Sequence, residues 1–254
     1  MTEETITLTF CENAESHVGM KSVGKISDRG FTLEDLKIIQ SCFPNSKSTI
    51  YHLNSLITEN AEDAYLLVIK KGCNELVNST LLLQEQCFIR DERDTKAFMK
   101  GRVVNKKARH NLLFGDIDQT ADFENKVSTV INFNRLPGLE HVRNEFNDIL
   151  NNKLGLDINL MCEGNYYYDN KKCYIGFHGD FERKLVIGIR LGGSFKLHFQ
   201  WYHRFSKIGD IFTIELNHGD IYVFSEKAVG KDWKRSSICT LRHAAGELKN
   251  FDKK

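Results

Sequence analysis

From residue 157 onward the chain is a succession of short β-rich runs, and that texture limits its fold more than any other feature. The runs are DINLMCEGNYYYD, CYIGFHGD, KLVIGIRLGG, FKLHFQWYHRF, DIFTIELNHGDIYVF and SSICTLRHAAG, separated by Gly, Asp, Asn and Lys turns. β-branched and aromatic side chains suit a pleated surface, while Gly and Asx residues suit the turns between strands. Parallel strands would need a crossover of about a dozen or more residues between them, usually a helix. No helical period of that length intervenes, so an antiparallel sandwich or barrel of the jelly-roll kind is expected over about 157–245.

Upstream, FTLEDLKIIQSCFP places Thr32 as an N-cap ahead of Leu36, Ile39 and Phe43, with Pro44 as the stop. TIYHLNSL and AYLLVIKKG read as strands. In GLEHVRNEFNDILNNKLG, residues Leu139, Val142, Phe146, Ile149 and Leu150 recur at helical spacing, with Pro137 before them and Gly155 at the C-terminal cap. Residues 1–30 are polar and weakly patterned and read as a flexible N-terminal arm. Residues 31–254 are expected to form one α+β domain. Its core would be a double-stranded β-helix (jelly-roll), with the N-terminal helices and strands packed outside.

Composition narrows the function classes. A chain of 254 residues that is 41% hydrophobic can bury a sizeable core, and its net charge of +1 supplies no global field to draw it to a polyanion. Any nucleic-acid binding must come from a local patch. Seven cysteines (Cys11, Cys42, Cys73, Cys87, Cys162, Cys173 and Cys239) are scattered without a C-x-x-C pair, which fits free thiols in a reducing compartment. The N-terminus MTEETITLTF lacks a basic n-region, and no apolar stretch approaches about 18 residues. The expectation is a soluble, intracellular protein of cytoplasm or nucleus, not secreted and without a membrane partner.

The run CYIGFHGDFERK carries the first sign of chemistry. Side chains two apart on a strand share a face, so His178 and Asp180 would project together. The structural alternative is a strand that runs into an ordinary polar turn. Two histidines and one carboxylate on one face, with positions left open, make the triad that holds non-haem Fe(II) for oxygen chemistry.

The flanking sequence resembles the AlkB-like Fe(II)/2-oxoglutarate-dependent dioxygenases. NYYYDNKKCYIGFHGDFE is similar to that family's N-x-Y and I-G-x-H-x-D-x-E signature, and LNHGDIYVF to the L-x-H-G-x-hydrophobic run that follows. SICTLRHAAG is similar to the T-F-R strand that closes the barrel, GRVVNKKARHNLLFGD to an upstream segment, and LPGLEHVRNEFNDIL to the helix between. The matches keep their order and cover roughly residues 100 to 245. The resemblance implies an oxidoreductase with Fe(II) bound by His178 and Asp180, and 2-oxoglutarate held by Arg242, Asn165 and Tyr167. Guanidinium suits that task because its planar fork binds carboxylate in bidentate fashion.

Two departures stand out. The family's second histidine precedes the arginine strand, yet SEKAVGKDWKRSSICTLRHAAG has no histidine before Arg242, and Lys234 or Trp233 stands nearest the place. His243 could complete the metal site through a bulge, since on a regular strand it faces away from Arg242. Water could complete a two-residue site, or Lys234 could be recruited after deprotonation, or the metal chemistry could be lost. His218 in NHGD does not match a ligand position. A first carboxylate-anchoring arginine is also missing, with Ser236 near its place and Arg235 beside it.

Arg102, Lys106, Lys107, Arg109 and His110 form a local basic cluster where the family covers its substrate, and its Lys and Arg residues can hold a DNA or RNA backbone. Otherwise the cluster is a solvated loop. Phe199, Trp201 and Tyr202 either stack a base or pack in the core. Tyr166, Tyr167 and Tyr168 include at least one packing residue. Three readings follow: an O₂- and 2-oxoglutarate-using dioxygenase acting on a nucleobase, a protein side-chain hydroxylase, or an inactive β-helix binding module.

Overall fold

The computed structural model describes residues 4–251 and resolves the chain into two large β-sheets, two small two-stranded ones (Asn13–Ala14 with Val23–Gly24, and Lys96–Met99 with Arg102–Asn105) and a layer of helices. The larger sheet is mixed, with strands in the order Ser48–His52, Tyr65–Ile69, Ile221–Phe224, Val186–Gly192, Thr5–Cys11, Met161–Tyr167, His110–Gly115 and Val130–Asn132. Its pairings are antiparallel except the last. The smaller sheet is antiparallel throughout, in the order Ile175–His178, Thr240–Ala245, Phe195–His203 and Ser206–Leu216. The protein is α+β, with sheet predominating.

The N-terminal segment is not an arm. Thr5–Cys11 is an interior strand of the larger sheet, flanked by Met161–Tyr167 and Val186–Gly192, and all seven of its residues are buried. TITLTFC alternates strictly: Ile6, Leu8 and Phe10 enter an apolar core on one face, and the threonines cover the other. Threonine made the segment look like a polar tail, but its branched Cβ suits a strand. Ser48–His52 and Tyr65–Ile69 likewise extend this sheet instead of packing outside it. Sheet structure therefore draws on most of the chain, well beyond 157–245.

The helices cover the outer face. Leu33–Ser41 begins at Thr32, whose side chain accepts from the Asp35 backbone N–H while the Asp35 carboxylate accepts from the Thr32 N–H. Pro137 occupies the first turn of Pro137–Asp148, where its missing N–H costs nothing, and a π-helical turn, Ile149–Lys153, follows. Leu36, Ile39, Leu82, Leu139, Val142 and Phe146 pack against Leu8, Phe10, Leu67, Phe114 and Ile189 of the larger sheet. Each such side chain, once buried, contributes about 1.5–3 kcal/mol.

The two sheets face one another. Val68, Val186 and Phe224 of the larger meet Phe199, Trp201 and Leu241 of the smaller in a second apolar cluster. Trp201 Nε1 donates to the Leu53 carbonyl at 2.9 Å, which pairs a polar atom that burial would otherwise strand. Phe199 and Trp201 are therefore core residues, while Tyr202, one step on, points to the opposite face. Among the described residues no helix is long and apolar enough to cross a membrane.

Candidate metal centre

Where apolar packing between the sheets gives way, a cavity of about 400 Å³ opens, lined by Thr7, Thr9, Asn165, Tyr167 and Arg190 of the larger sheet and by His178 and His243 of the smaller. His178, Asp180 and His243 meet on its wall, each offering one ligand atom, and those atoms all lie within 4.8 Å of one another. His178 Nε2 is 3.4 Å and His243 Nε2 3.6 Å from Asp180 Oδ1.

Strand pairing delivers the two histidines. His178 and His243 are register partners on neighbouring antiparallel strands, so their side chains stand on one face with ring centroids 4.4 Å apart. The register moves three residues along one strand, Ile175 to His178, against two along the other, Ala245 to His243. The bulge thus lies on the His178 strand, where Gly176 and Phe177 stand against Ala244, and not at His243. It shifts His178 into line with a His243 that needs no distortion to face inward.

The glycine in H-G-D has a steric cause. A Cβ on Gly179 would sit 2.0 Å from the Gly230 carbonyl oxygen, a backbone atom that cannot swing away. Gly230 itself has φ of 74°, in the left-handed region, where it ends the short helix Glu226–Val229. The Asp180 N–H donates to the Val229 carbonyl at 3.0 Å, which pins the carboxylate side of the cluster to the same turn.

The electrostatics suit ligation. The Gly176 carbonyl lies 2.8 Å from His178 Nδ1 and accepts its proton, so Nε2 is the ring nitrogen on the side of Asp180. Burial would push the Asp180 carboxyl up, but the Arg183 guanidinium outweighs it and holds that carboxyl well below its usual range. Burial pulls His243 down, favouring a neutral imidazole, and among the described residues its buried Nδ1 has no hydrogen-bond partner. Arg183 lies behind this group, donating to Glu163 at 2.8 Å and Glu182 at 2.6 Å, with Asp180 at 3.5 Å. The Glu12 carboxylate holds the adjacent turn by accepting from the backbone N–H groups of Lys184 and Leu185.

The remaining residues singled out in the sequence divide between the cavity and elsewhere. Asn165 and Tyr167 line the cavity, and Asn165 Oδ1 accepts from Arg109 and from Asn111. Arg242 does not line it. It pairs across with Gln200 while His243 pairs with Phe199, so alternation turns the arginine to the outer face. There its guanidinium lies 3.8 Å over the Tyr202 ring and donates to the Trp233 carbonyl. The expectation of Arg242 beside the metal ligands is corrected on that ground.

Of the basic cluster, only Arg109 reaches the cavity. Arg102 and Lys107 are exposed, and Lys106 is turned inward to donate to Asn111 at 2.9 Å. Lys234 is exposed over the Phe181 and Trp233 rings, so it is no ligand. Arg235 is exposed as well. His218 is occupied structurally, between Ser79 Oγ and the Gly192 N–H, each at 3.0 Å. Tyr166 packs beneath the sheet with its hydroxyl on Gln86, and Tyr168 is exposed.

Sequence reasoning missed Arg183, Arg190 and Thr7, and it marked Trp233 only as a residue near the place of the absent histidine. Arg190 had a legible signal: a single charge inside the apolar run VIGIRL, on a strand whose neighbours on both sides are buried. Trp233 lines the cavity mouth from the loop before the last strand, where no periodicity marks a site.

No protein-family model matches the chain. It is 48% identical over 254 residues to the uncharacterized protein R156 of Acanthamoeba polyphaga mimivirus, an alignment spanning 97% of this chain and 98% of that one.

Proposed function

The chain belongs to the same family as the mimivirus protein R156, and we propose from the chemistry of its site that it is an Fe(II)- and 2-oxoglutarate-dependent dioxygenase acting on a nucleic-acid base. The observation that carries the reading is the convergence of two imidazoles and one carboxylate, His178, His243 and Asp180, on the wall of a cavity. That donor set suits non-haem Fe(II) and leaves coordination positions for other ligands. In this reading the two facing sheets are the halves of a double-stranded β-helix, with the metal ligands near one end.

The residues fit the ion on three counts. Asp180 is held ionised, His178 has its Nδ1 engaged by a carbonyl, and His243 brings Nε2 to 3.6 Å from the same carboxylate. Bound Fe(II) would supply the oxidative chemistry with O₂ and 2-oxoglutarate. The chain's part is to orient and to exclude. Gly176 fixes the ring of His178, the Gly230 turn fixes Asp180, and Asn165 and Tyr167 offer directional hydrogen bonds inside the cavity.

A nucleic-acid substrate is supported by the rim. Trp233, which lines the cavity mouth, has Lys234 and Arg242 over its ring, and the exposed Phe181 has Lys231 and Lys234 over its own. Arg109 lines the cavity, and Arg102 and Lys107 of the same stretch of chain are exposed. Aromatic faces stack bases and the adjacent cations meet phosphates, a combination that binds single strands without reading sequence. Arg242 thus takes a place in a substrate surface in this reading.

The test runs in two steps. Anaerobic titration should show one Fe(II) per chain, lost in Asp180→Ala. Succinate release should then depend on both Fe(II) and 2-oxoglutarate, and mass spectrometry of methylated oligonucleotides should show loss of the methyl group. Iron uptake without succinate release would refute the assignment of the cosubstrate, and absence of iron uptake would refute the enzyme reading.

A further inference from the structure

We propose that Arg190, on the larger sheet, is the cation that receives the distal carboxylate of the oxo-diacid cosubstrate, in place of an arginine on the closing strand. The inference rests on the dioxygenase reading and adds to it the residue that selects a dicarboxylate.

Arg190 is 1% exposed and lines the cavity, yet among the described residues no carboxylate lies within ion-pair distance of its guanidinium. One of its terminal nitrogens donates to Thr7 Oγ1, its Nε has no partner, and its guanidinium carbon lies 5.3 Å from the centre of the Phe195 ring. A guanidinium carries five N–H donors, and buried charge is normally paired. Burial lowers the Arg190 pKa below the ordinary arginine value, in keeping with a charge that lacks its counterion. The two other cations on the cavity wall are already engaged: Arg183 by Glu163 and Glu182, and Arg109 by the Asn165 side chain. Arg190 alone combines full burial, fixed charge and an idle donor.

The sheet register places the supporting groups. Thr7 is the cross-strand partner of Arg190 on one side and of Asn165 on the other, which makes a row Asn165, Thr7, Arg190 across three adjacent strands. Each of the three lines the cavity. Tyr167, two residues beyond Asn165 on the same face, packs its ring 4.5 Å from that of Phe195, the ring under the guanidinium. A carboxylate between Arg190 and the Thr7 hydroxyl would meet fixed charge and a second donor, and the amide of Asn165 stands next along the row. Arg242 cannot serve, because it lies on the outer face of its strand, stacked on Tyr202.

The binding test uses Mn(II)-loaded protein, so that no turnover intervenes, with 2-oxoglutarate and pyruvate as probes in isothermal titration calorimetry. Pyruvate keeps the oxo-acid head and lacks the distal carboxylate. Arg190→Gln should weaken 2-oxoglutarate binding about 100-fold, the order of effect for removing one partner of a buried hydrogen-bonded charge pair. It should leave the affinity for pyruvate and for Mn(II) unchanged, and the latter doubles as the check that the site is folded. Arg190→Lys keeps the charge without the fork and should lose about 10-fold. Arg242→Gln should bind 2-oxoglutarate as the wild type does. Wild-type affinity in Arg190→Gln, or a loss that falls instead on Arg242→Gln, would overturn the assignment and leave the dioxygenase reading standing. Failure of the wild-type Mn(II) form to bind 2-oxoglutarate would overturn both.

Discussion

Replacing Arg183 by Met should be among the most damaging single changes in this protein, and the structure sets the size of the effect. The Arg183 and Glu163 side chains are 3% and 7% exposed and meet at 2.8 Å. The same guanidinium donates to Glu182 at 2.6 Å and stands 3.5 Å from Asp180. Methionine fills much of the volume, so cavity formation adds little, and the cost comes from three carboxylates left facing one another in a site that water scarcely reaches. Breaking a buried ion pair by removing one partner costs about 3–5 kcal/mol. With an unfolding slope of about 2–3 kcal/mol per molar urea, a loss of ~4 kcal/mol moves the midpoint by about 1.5 M. The assay is urea unfolding at neutral pH with a chelator present, because a divalent cation would compensate the exposed carboxylates. The companion variant Arg183→Met/Glu163→Gln removes the orphaned charge and should recover about 1–2 kcal/mol of the loss. A single-variant cost below about 1 kcal/mol, or additivity of the two changes, would show that the pair is solvated and that the reasoning from burial fails.

Other outcomes follow from particular contacts. Gly179→Ala should cost about 3 kcal/mol or more and abolish Fe(II) uptake, since its Cβ meets the Gly230 carbonyl oxygen; calorimetry and metal titration would read both. Trp233→Ala and Phe181→Ala should each weaken single-stranded oligonucleotide binding by about 1–3 kcal/mol in fluorescence anisotropy with the melting temperature unchanged, and tight binding by the double variant would dismiss the rim as a nucleic-acid surface. Burial lowers the Lys106 pKa to about 8 from 10.5, so above pH 8 the folded chain releases this proton before the unfolded chain does. Stability should therefore gain with rising pH across that window and level off above it, and Lys106→Met should lack the gain in denaturation curves taken at several pH values.

Much of the local structure was legible in the sequence because its causes are local. Thr32 with Asp35, Pro137 and the spacing of Leu139, Val142 and Phe146 mark helices through hydrogen bonds and periodicity contained within a few residues. The β-rich runs after residue 157 announced strands in the same way, and H-G-D announced a histidine and a carboxylate close together. What strand period alone does not specify is which face becomes the inside. Arg242 and His243 are adjacent, one of them had to point outward, and only the pairing of His243 with His178 across a bulge decided between them. The run Thr5, Thr7, Thr9 reads as a polar tail because hydrophobicity, the cue for burial, is missing on that face, and only the closed sheets show that Thr7 and Thr9 line a cavity. Arg190 stood in plain view in VIGIRL, but that its charge lies buried on a cavity wall, with Nε unpartnered among the described residues, is decided only when the second sheet closes over it. Residue identity and local order set the ligand types, whereas long-range register and closure decided which of them met.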